Sequence, residues 1–276
     1  MDHALSLLRR HGPEARLIAG GHSLIPMMKL RLAQPEVLID INDLSDLSYI
    51  RIADNRLCIG AMTRHADLLA SPLVAEHYPM LVEAEEVIAD PIVRNRGSVG
   101  GSLCQADPSE DLSAAFAALG ASFVVAGEAG RREVQGEDFH LGPYTTAVEA
   151  DEMLVEVRIP LRPSMGSAYE KLERRAGDWA VAAAAAAIRL EDGVIAEAGI
   201  GLSAVNAAHF RSPQAERRLV GNPADQATLA EAASLAGADC NPSADQRGPV
   251  DYKRHLVSEL TLRALVRAAA SANRRI

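Results

Sequence analysis

The glycine pairs Gly20-Gly21 and Gly100-Gly101 constrain this sequence more than any other feature, because each pair lies beside serine residues in a turn-like segment. Glycine tolerates a positive φ and lets another group approach the backbone closely. Consecutive backbone N–H groups that are not covered by side chains can bind phosphate oxygens. Two such segments, within residues 17–24 and 94–111, predict the two walls of a single pyrophosphate site.

Each segment taken alone is also typical of a tight turn between a strand and a helix. Neither has the spacing of a Rossmann dinucleotide fingerprint or of a nucleoside triphosphate loop, so the pattern indicates a phosphate ligand without naming it. Asp111 follows a turn fixed by Pro108, and its carboxylate is suited to accept hydrogen bonds from sugar hydroxyls or an amine. The apolar residues 112–119 predict a helix, so the second glycine segment is expected to be a loop that precedes it.

Composition excludes several classes of function. The net charge is −9 and aromatic residues make up 4% of the chain, which argues against nucleic acid as a partner. Cys58, Cys104 and Cys240 are widely separated, so they predict no metal site and favour a reducing compartment. The sequence shows no signal-peptide pattern and no apolar run long enough for a bilayer, and it therefore predicts a cytoplasmic protein.

Hydrophobic periodicity predicts an α+β protein with a boundary near Pro160 and Pro163. The alanine run at 182–187 favours helix by propensity, but the Glu191-Asp192-Gly193 turn favours a hairpin there. Thr63 is expected to cap the third helix. The predicted helices span residues 2–10, 24–32, 60–69, 78–88, 112–119, 226–238 and 252–270. The predicted strands span residues 16–19, 36–41, 49–52, 56–59, 122–126, 154–159, 167–173, 182–190 and 195–202.

Beyond these patterns, the sequence resembles the FAD-binding medium subunits of the molybdenum hydroxylases, the group that includes carbon monoxide dehydrogenase and xanthine dehydrogenase relatives. The carbon monoxide dehydrogenase-like branch is the most similar. The resemblance runs through nearly the whole chain in order, including the motif Ala19-Gly-Gly-His-Ser23. The matching stretches are residues 19–32, 88–91, 94–111 and 169–180, with a weaker match at 252–255.

The resemblance implies a two-lobed, PCMH-like FAD-binding domain over residues 1–162, with lobes of about 1–47 and 48–162. An antiparallel sheet-plus-helices domain over residues 163–276 would follow it. Family members usually begin with a further strand, whereas this sequence starts at the first helix. Either the gene model is short or an edge strand is missing, and in the second case FAD retention is expected to suffer. The expected cofactor-binding residues are Ala19, Gly20, Gly21, His22, Ser23, Leu24, Ala89, Ser98, Val99, Gly100, Gly101, Ser102, Asp111, Leu154 and Lys171.

Within that set, the two serine-flanked glycine segments are expected to hold the pyrophosphate, and Asp111 and Ala89 to lie at the ribose or adenine end. Leu154 and Lys171 are placed near the flavin by the resemblance alone. No catalytic side chain and no metal ligand are expected in this chain.

Several residues keep two interpretations. His22 is either a loop histidine beside the flavin or a covalent attachment point, and Cys104 is either a small packing residue, which is favoured, or a redox group. Lys171 is either a pocket residue or part of a solvated charge cluster. Trp179 is expected to anchor the C-terminal core or a subunit contact.

The resemblance implies an electron-transfer subunit rather than an enzyme with its own substrate chemistry. Electrons would arrive from [2Fe–2S] clusters of a small partner subunit, which take them from the molybdopterin cofactor of a large subunit. FAD would pass them to an external acceptor, within a dimer of heterotrimers. Two alternatives remain, a stand-alone flavin oxidase and a non-catalytic nucleotide-binding assembly module.

Overall fold

The helices and strands follow the hydrophobic pattern of the sequence. A computed structural model describes residues 1–274. The strands are β1 Ala15–Ile18, β2 Val37–Asp40, β3 Ile50–Ala53, β4 Arg56–Gly60, β5 Ser122–Gly127, β6 Gly130–Gln135, β7 His140–Gly142, β8 Thr145–Thr146, β9 Met153–Pro160, β10 Met165–Glu173, β11 Ala180–Glu191 and β12 Val194–Ser203. The α-helices are α1 Asp2–His11, α2 Leu24–Lys29, α3 His65–Leu69, α4 Pro72–His77, α5 Pro79–Glu86, α6 Pro91–Arg96, α7 Val99–Gln105, α8 Asp111–Ala118, α9 Gly136–Phe139, α10 Pro213–Leu219, α11 Gln226–Asp239 and α12 Val250–Asn273.

Two antiparallel sheets organise the chain. The first has five strands in the order β3-β4-β9-β5-β6, and the second has three strands in the order β10-β11-β12. A parallel pair, β1 and β2, lies near the N-terminus, and the short β7 and β8 form a separate ribbon. Helices packed against antiparallel sheets make this an α+β fold, as the sequence predicts.

The five-stranded sheet is buried on both faces. One face carries Val124 and Val155, which pack with α1 and the β1–β2 pair around Leu5 and Leu8. The other face carries Phe123 and Val157, which pack with helices α3, α4, α5, α7 and α8. The β1–β2 pair and the helical layer therefore lie on opposite sides of one sheet. The glycine segment 19–24 follows β1 on the first side, and the segment 97–102 belongs to the helical layer on the second.

The alanine run forms the central strand of the second sheet, which resolves the ambiguity of the sequence in favour of the hairpin. Ala183, Ala185 and Ala187 contact the first core, while the alternate alanines contact the C-terminal core with α12. Small side chains let helices approach both faces. A Cβ added to Gly201 of β12 would lie only 2.6 Å from the carbonyl carbon of Ala114 in α8, so this sheet is built for close helix packing.

Three short helices that were not predicted each begin with a proline. Pro72, Pro91 and Pro213 are the first residues of α4, α6 and α10, where a proline lacks no needed donor. The expected cap at Thr63 is wrong, because its hydroxyl bonds instead to the backbone of Tyr49. Among the described helices, none is both long and apolar enough to cross a bilayer.

Candidate functional site

The two glycine segments lie directly against each other. A Cβ added to Gly20 would lie 2.7 Å from the carbonyl carbon of Arg96 and 2.9 Å from the Cα of Gly97. Contacts this short do not occur between real side chains and a backbone, so only glycine fits at position 20. The expectation that the two segments are walls of one site is therefore consistent with their packing.

Two polar side chains, which the sequence analysis did not identify, hold these segments together. The Asn42 amide donates to the carbonyl of Ala19 at 2.7 Å and accepts from the Arg64 guanidinium at 3.0 Å. Arg64 also donates to the carbonyl of Arg96. Asn42 and Arg64 follow the ends of β2 and β4, and a polar residue just after a buried strand is the signal that was available for finding them.

The first glycine segment is an open loop between β1 and α2. Gly21 has a φ of +79°, which other residues rarely adopt, and His22 and Ser23 are exposed. Within the described residues, the backbone N–H groups of Gly21, His22 and Ser23 donate to no protein acceptor. Three consecutive free donors beside an exposed hydroxyl are the features that a phosphate-binding segment needs.

The second glycine segment is not the loop that the sequence predicts. Residues 99–105 form α7, and the Ser98 side chain accepts from the N–H of Gly101 at its start. The N–H groups of Val99 and Gly100 donate to the carbonyls of Thr63 and Ala61, so they are not free for a ligand. Gly100 is required for close packing, since an added Cβ would lie 2.7 Å from the Cβ of Ala61. Within residues 98–102, only Gly101 and the half-buried Ser102 turn an accessible surface outward.

Cys104, one turn further along α7, is exposed to solvent. Desolvation by the surrounding protein raises the pKa of its thiol to about 12, and a backbone hydrogen bond from Leu154 opposes this shift. The prediction that Cys104 is a buried packing residue is therefore wrong. Leu154 is 5% exposed on the neighbouring strand β9.

A buried histidine and glutamate lie behind Ser102. His65 contacts Glu85 through Nδ1 at 2.9 Å and Ser102 Oγ through Nε2 at 2.9 Å, and both His65 and Glu85 are almost fully buried. Burial lowers the pKa of His65, but the Glu85 carboxylate outweighs this effect and the net pKa is raised. Burial raises the pKa of Glu85. This pair was not predicted, because its only signal in the sequence is a histidine among the apolar residues of α3.

Asp111 and Lys171 form a buried ion pair. Lys171 Nζ donates to Asp111 Oδ2 at 3.0 Å and to the carbonyl of Val87 at 2.9 Å, while the Tyr169 hydroxyl donates to Asp111 Oδ1 at 2.6 Å. The Lys171 side chain is only 2% exposed, so the interpretation as a solvated charge cluster is wrong. Their direct contact also contradicts the expectation that Asp111 and Lys171 lie at opposite ends of a dinucleotide.

Ala89, in the loop between α5 and α6, has a strained backbone conformation. Its φ is +48°, and a Cβ added to Gly177 would lie 3.0 Å from its carbonyl carbon. Left-handed backbone at a residue other than glycine is uncommon and is often found at ligand sites. Trp179, two residues after Gly177, is 48% exposed, so the expectation that it anchors the C-terminal core is wrong and a subunit contact remains the prediction.

The raised pKa of the Glu110 carboxyl predicts a measurable pH dependence of the free energy of unfolding. The carboxylate caps α8 by accepting from the N–H groups of Leu112 and Ser113, and burial raises its pKa from 4.5 to about 7. A carboxyl whose pKa is raised by folding stabilises the protein fully below its unfolded pKa, and this stabilisation is lost as the pH rises through 7. We expect the free energy of unfolding to fall by about 2 kcal/mol between pH 5 and pH 7.5 from this group.

The measurement is urea unfolding of the wild type and Glu110→Gln across that pH range. The variant, which keeps one accepting oxygen and cannot ionise, should show a shallower decline than the wild type. Parallel curves for the two proteins would contradict the assignment, because they would show that Glu110 does not titrate differently in the folded state.

Comparison with known proteins agrees with this architecture. Residues 1–162 match the family model described as the FAD binding domain in molybdopterin dehydrogenase. Residues 167–268 match the model described as the CO dehydrogenase flavoprotein C-terminal domain. Together these two models cover most of the chain, and the first carries both glycine segments and the His65–Glu85 pair.

Individual proteins resemble the chain along its whole length. The carbon monoxide dehydrogenase medium chain of Hydrogenophaga pseudoflava is 43% identical over 266 residues, covering 96% of this chain and 93% of its own. The glyceraldehyde dehydrogenase medium chain of Sulfolobus acidocaldarius is 35% identical, covering 98% of this chain and 95% of its own. A crystal structure of the Hydrogenophaga pseudoflava carbon monoxide dehydrogenase matches with a TM-score of 0.94 at 44% identity, covering 98% of this chain and 94% of that one. The resemblance seen in the sequence is confirmed, and the chain belongs to the family of FAD-binding medium subunits of molybdenum hydroxylases, of the carbon monoxide dehydrogenase type.

Proposed function

We propose that this chain binds FAD non-covalently, with the pyrophosphate between the first glycine segment and the accessible side of α7. The observation that carries the proposal is the set of three free N–H groups at Gly21, His22 and Ser23, packed beside the second segment through Gly20. Anionic oxygens are the acceptors that such donors lack. The Ser23 and Ser102 hydroxyls supply further donors on the two sides.

The remaining residues would shape the cofactor cleft. Val99 and Gly100 have their N–H groups occupied, so their part is to bring α7 close to Ala61 and leave Gly101 uncovered. Cys104 and Leu154 would lie along the cleft floor. Ala89, with Lys171 and Asp111 behind it, would form the wall contributed by α5, α8 and β10. The proposed contact set is Ala19, Gly20, Gly21, His22, Ser23, Leu24, Ala89, Ser98, Val99, Gly100, Gly101, Ser102, Asp111, Leu154 and Lys171.

The proposed role is electron transfer within a larger molybdenum-dependent dehydrogenase. FAD, when bound, supplies redox chemistry that the twenty amino acids lack, and the protein's part is to bind, orient and tune it. Relatives named as medium chains support a small and a large partner subunit. We propose that these carry [2Fe–2S] clusters and the molybdopterin cofactor, in a dimer of heterotrimers. We place the assembly in the cytoplasm.

We also propose that the chain divides near residue 162 into the FAD-binding domain, with lobes of about 1–47 and 48–162, and the C-terminal domain 163–276. The two domains would be tightly joined, because the first hydrophobic core includes both Val157 of the first sheet and Met165 and Tyr169 of the second. A shared core of this kind favours a fixed geometry between the domains over hinge motion.

The test is the visible spectrum of the purified full chain, before and after acid precipitation, alone and co-expressed with candidate partner subunits. Oxidised-flavin absorbance that moves into the supernatant is the expected result for non-covalent FAD. Absorbance that stays with the pellet would contradict it and indicate a flavin linked to His22, as in the oxidase alternative. A colourless protein in every preparation would overturn the proposal and favour a nucleotide-binding assembly module.

A further inference from the structure

Three short helices bring His65, Glu85 and Ser102 together beneath the proposed FAD site. His65 begins α3, Glu85 is in the last turn of α5, and Ser102 is in α7 beside the exposed Gly101. His65 is 2% exposed and Glu85 is fully buried, while Ser102 is half-buried and reaches the surface. The imidazole contacts the carboxylate through Nδ1 and the hydroxyl through Nε2, both at 2.9 Å.

The number of protons on the buried pair decides which way the Ser102 hydroxyl points. With one dissociable proton retained, the pair is either imidazolium with carboxylate or neutral imidazole with protonated carboxyl. In both arrangements Nε2 carries hydrogen and donates to Ser102 Oγ, so the hydroxyl hydrogen is free to point into the cleft. Without that proton, Nδ1–H donates to Glu85 and the bare Nε2 accepts the Ser102 hydrogen.

Electrostatics favours the state that retains the proton. Losing it leaves a net negative charge buried in the protein, whereas both protonated arrangements are neutral overall. The pKa values of His65 and Glu85 are both raised, which agrees with a pair that holds its proton. In a serine–histidine–carboxylate triad, the imidazole accepts the hydroxyl hydrogen and so activates the serine as a nucleophile. Here the retained proton makes Nε2 a donor, so Ser102 is not activated and its hydroxyl hydrogen can be donated to a ligand.

We propose that His65 and Glu85 form a proton-holding positioning pair, which orients the Ser102 hydroxyl as a hydrogen-bond donor to a pyrophosphate oxygen of the bound dinucleotide. This inference rests on the proposed FAD-binding function. Neither residue needs to touch the cofactor, because each acts through the hydroxyl. When the proton is lost, Ser102 presents lone pairs to the anionic oxygen instead, and the contact becomes repulsive. Affinity for FAD therefore falls as the pH rises through the pKa of the pair.

Other charged groups around the pair contribute to the same titration. Arg94 of α6 opposes the proton on His65, while Glu110, which precedes α8, favours it. Asp111 of α8 raises the pKa of Glu85 further. Arg64 and Asp67 lie on either side of His65 in the chain; Arg64 donates to Asn42 beside the glycine segments, and Asp67 is exposed to solvent. Glu110 titrates close to neutral pH, so its effect must be separated from that of the pair.

The experiment measures the dissociation constant of FAD by quenching of flavin fluorescence, using the full chain freed of cofactor, from pH 6 to pH 9 at fixed ionic strength. For the wild type we expect affinity to weaken about tenfold across this range, the factor of one hydrogen bond to a charged acceptor. Glu85→Gln removes the ionisable carboxyl and should give a dissociation constant that does not change with pH. Ser102→Ala should bind about tenfold more weakly at pH 6 and also lose the pH dependence.

Two control variants make the result specific. Ser23→Ala removes a hydroxyl on the opposite side that does not contact His65, so it should weaken binding while keeping the wild-type pH profile. Glu110→Gln should keep a pH dependence but move its midpoint to lower pH, because the Glu110 carboxylate favours the proton on His65. If Ser102→Ala retains the full pH dependence, the inference is overturned, and this holds even if Glu85→Gln does not fold. Flavin that binds equally well at all pH values overturns the positioning role alone, whereas no flavin binding at any pH overturns the proposed function with it.

Discussion

Gly20→Ala is expected to separate the two glycine segments and abolish FAD retention. The new methyl carbon would lie 2.7 Å from the carbonyl carbon of Arg96 and 2.9 Å from the Cα of Gly97, and both are backbone atoms that cannot rotate away. Overpacking typically costs 1–3 kcal/mol, and we expect about 3 kcal/mol here because two main chains must move apart. The same movement would displace the Asn42–Arg64 bridge from the carbonyls of Ala19 and Arg96.

The measurement is urea unfolding together with the flavin content of the purified protein. Gly142→Ala is the matched control, because nothing lies within 4 Å of a Cβ at that position and its φ is not positive. The control should keep wild-type stability and wild-type flavin content. A Gly20→Ala protein that stays yellow and is as stable as the control would show that the two segments are not packed as the structure describes.

Gly20 also shows how far the sequence alone can lead. The two glycine pairs and their serines predicted that two distant segments belong to one site, and the segments do touch. What the pattern could not distinguish is a glycine needed for packing from a glycine needed for a ligand. Gly20 and Gly100 are packed against backbone and against Ala61, whereas an added Cβ at Gly21 or Gly101 would meet only side-chain atoms, of Ile25 and of Ser98. That difference depends on atoms contributed by other elements, which a local motif does not contain.

The buried polar groups escaped prediction for a related reason. His65 and Glu85 are 20 residues apart on different helices, and nothing in either local pattern signals that they meet. Lys171 was assigned to the pocket by family resemblance, while its neighbours in sequence suggested a solvated strand. Its partner Asp111 is 60 residues away on α8. Strands and helices of the fold were largely predictable from periodicity, because each depends on neighbours within a few residues.

Asp111→Asn is expected to destabilise the protein by about 3 kcal/mol, because it leaves the Lys171 ammonium buried without its counter-ion. If the amide oxygen still accepts from Tyr169, the amide NH2 group faces Nζ, and two donors then oppose each other. Only the Val87 carbonyl and Glu173, 3.4 Å from Nζ, would remain as partners. Lys171→Met should be less costly near pH 5, because Asp111 can take up a proton once its partner is removed.

The double variant Asp111→Asn/Lys171→Met separates the ion pair from the packing around it. Because it buries no unpaired charge, we expect it to recover most of the stability lost in Asp111→Asn, which gives a large coupling energy in the double-mutant cycle. If the stability lost in the double variant equals the sum of the losses in the two single variants, a direct interaction between the two side chains would be contradicted. Flavin content measured on the same proteins would show whether this wall of the cleft must be charged or only packed.

The pH dependence of Lys171→Met provides an independent check on the same pair. Burial already raises the pKa of Asp111, with Lys171 and the Tyr169 hydroxyl opposing the shift. Removing the ammonium raises the folded-state pKa further above the unfolded value of about 3.9. A carboxyl shifted upward stabilises the fold only while it is protonated, so this contribution is lost as the pH rises through the folded-state value. Urea unfolding should therefore show Lys171→Met falling progressively below the wild type from about pH 4 toward pH 8. The double variant has no ionisable group at either position, so its stability should decline less steeply with pH than that of the wild type. A Lys171→Met curve that stays parallel to the wild type would mean that Asp111 is solvated, in conflict with its burial beneath Tyr169.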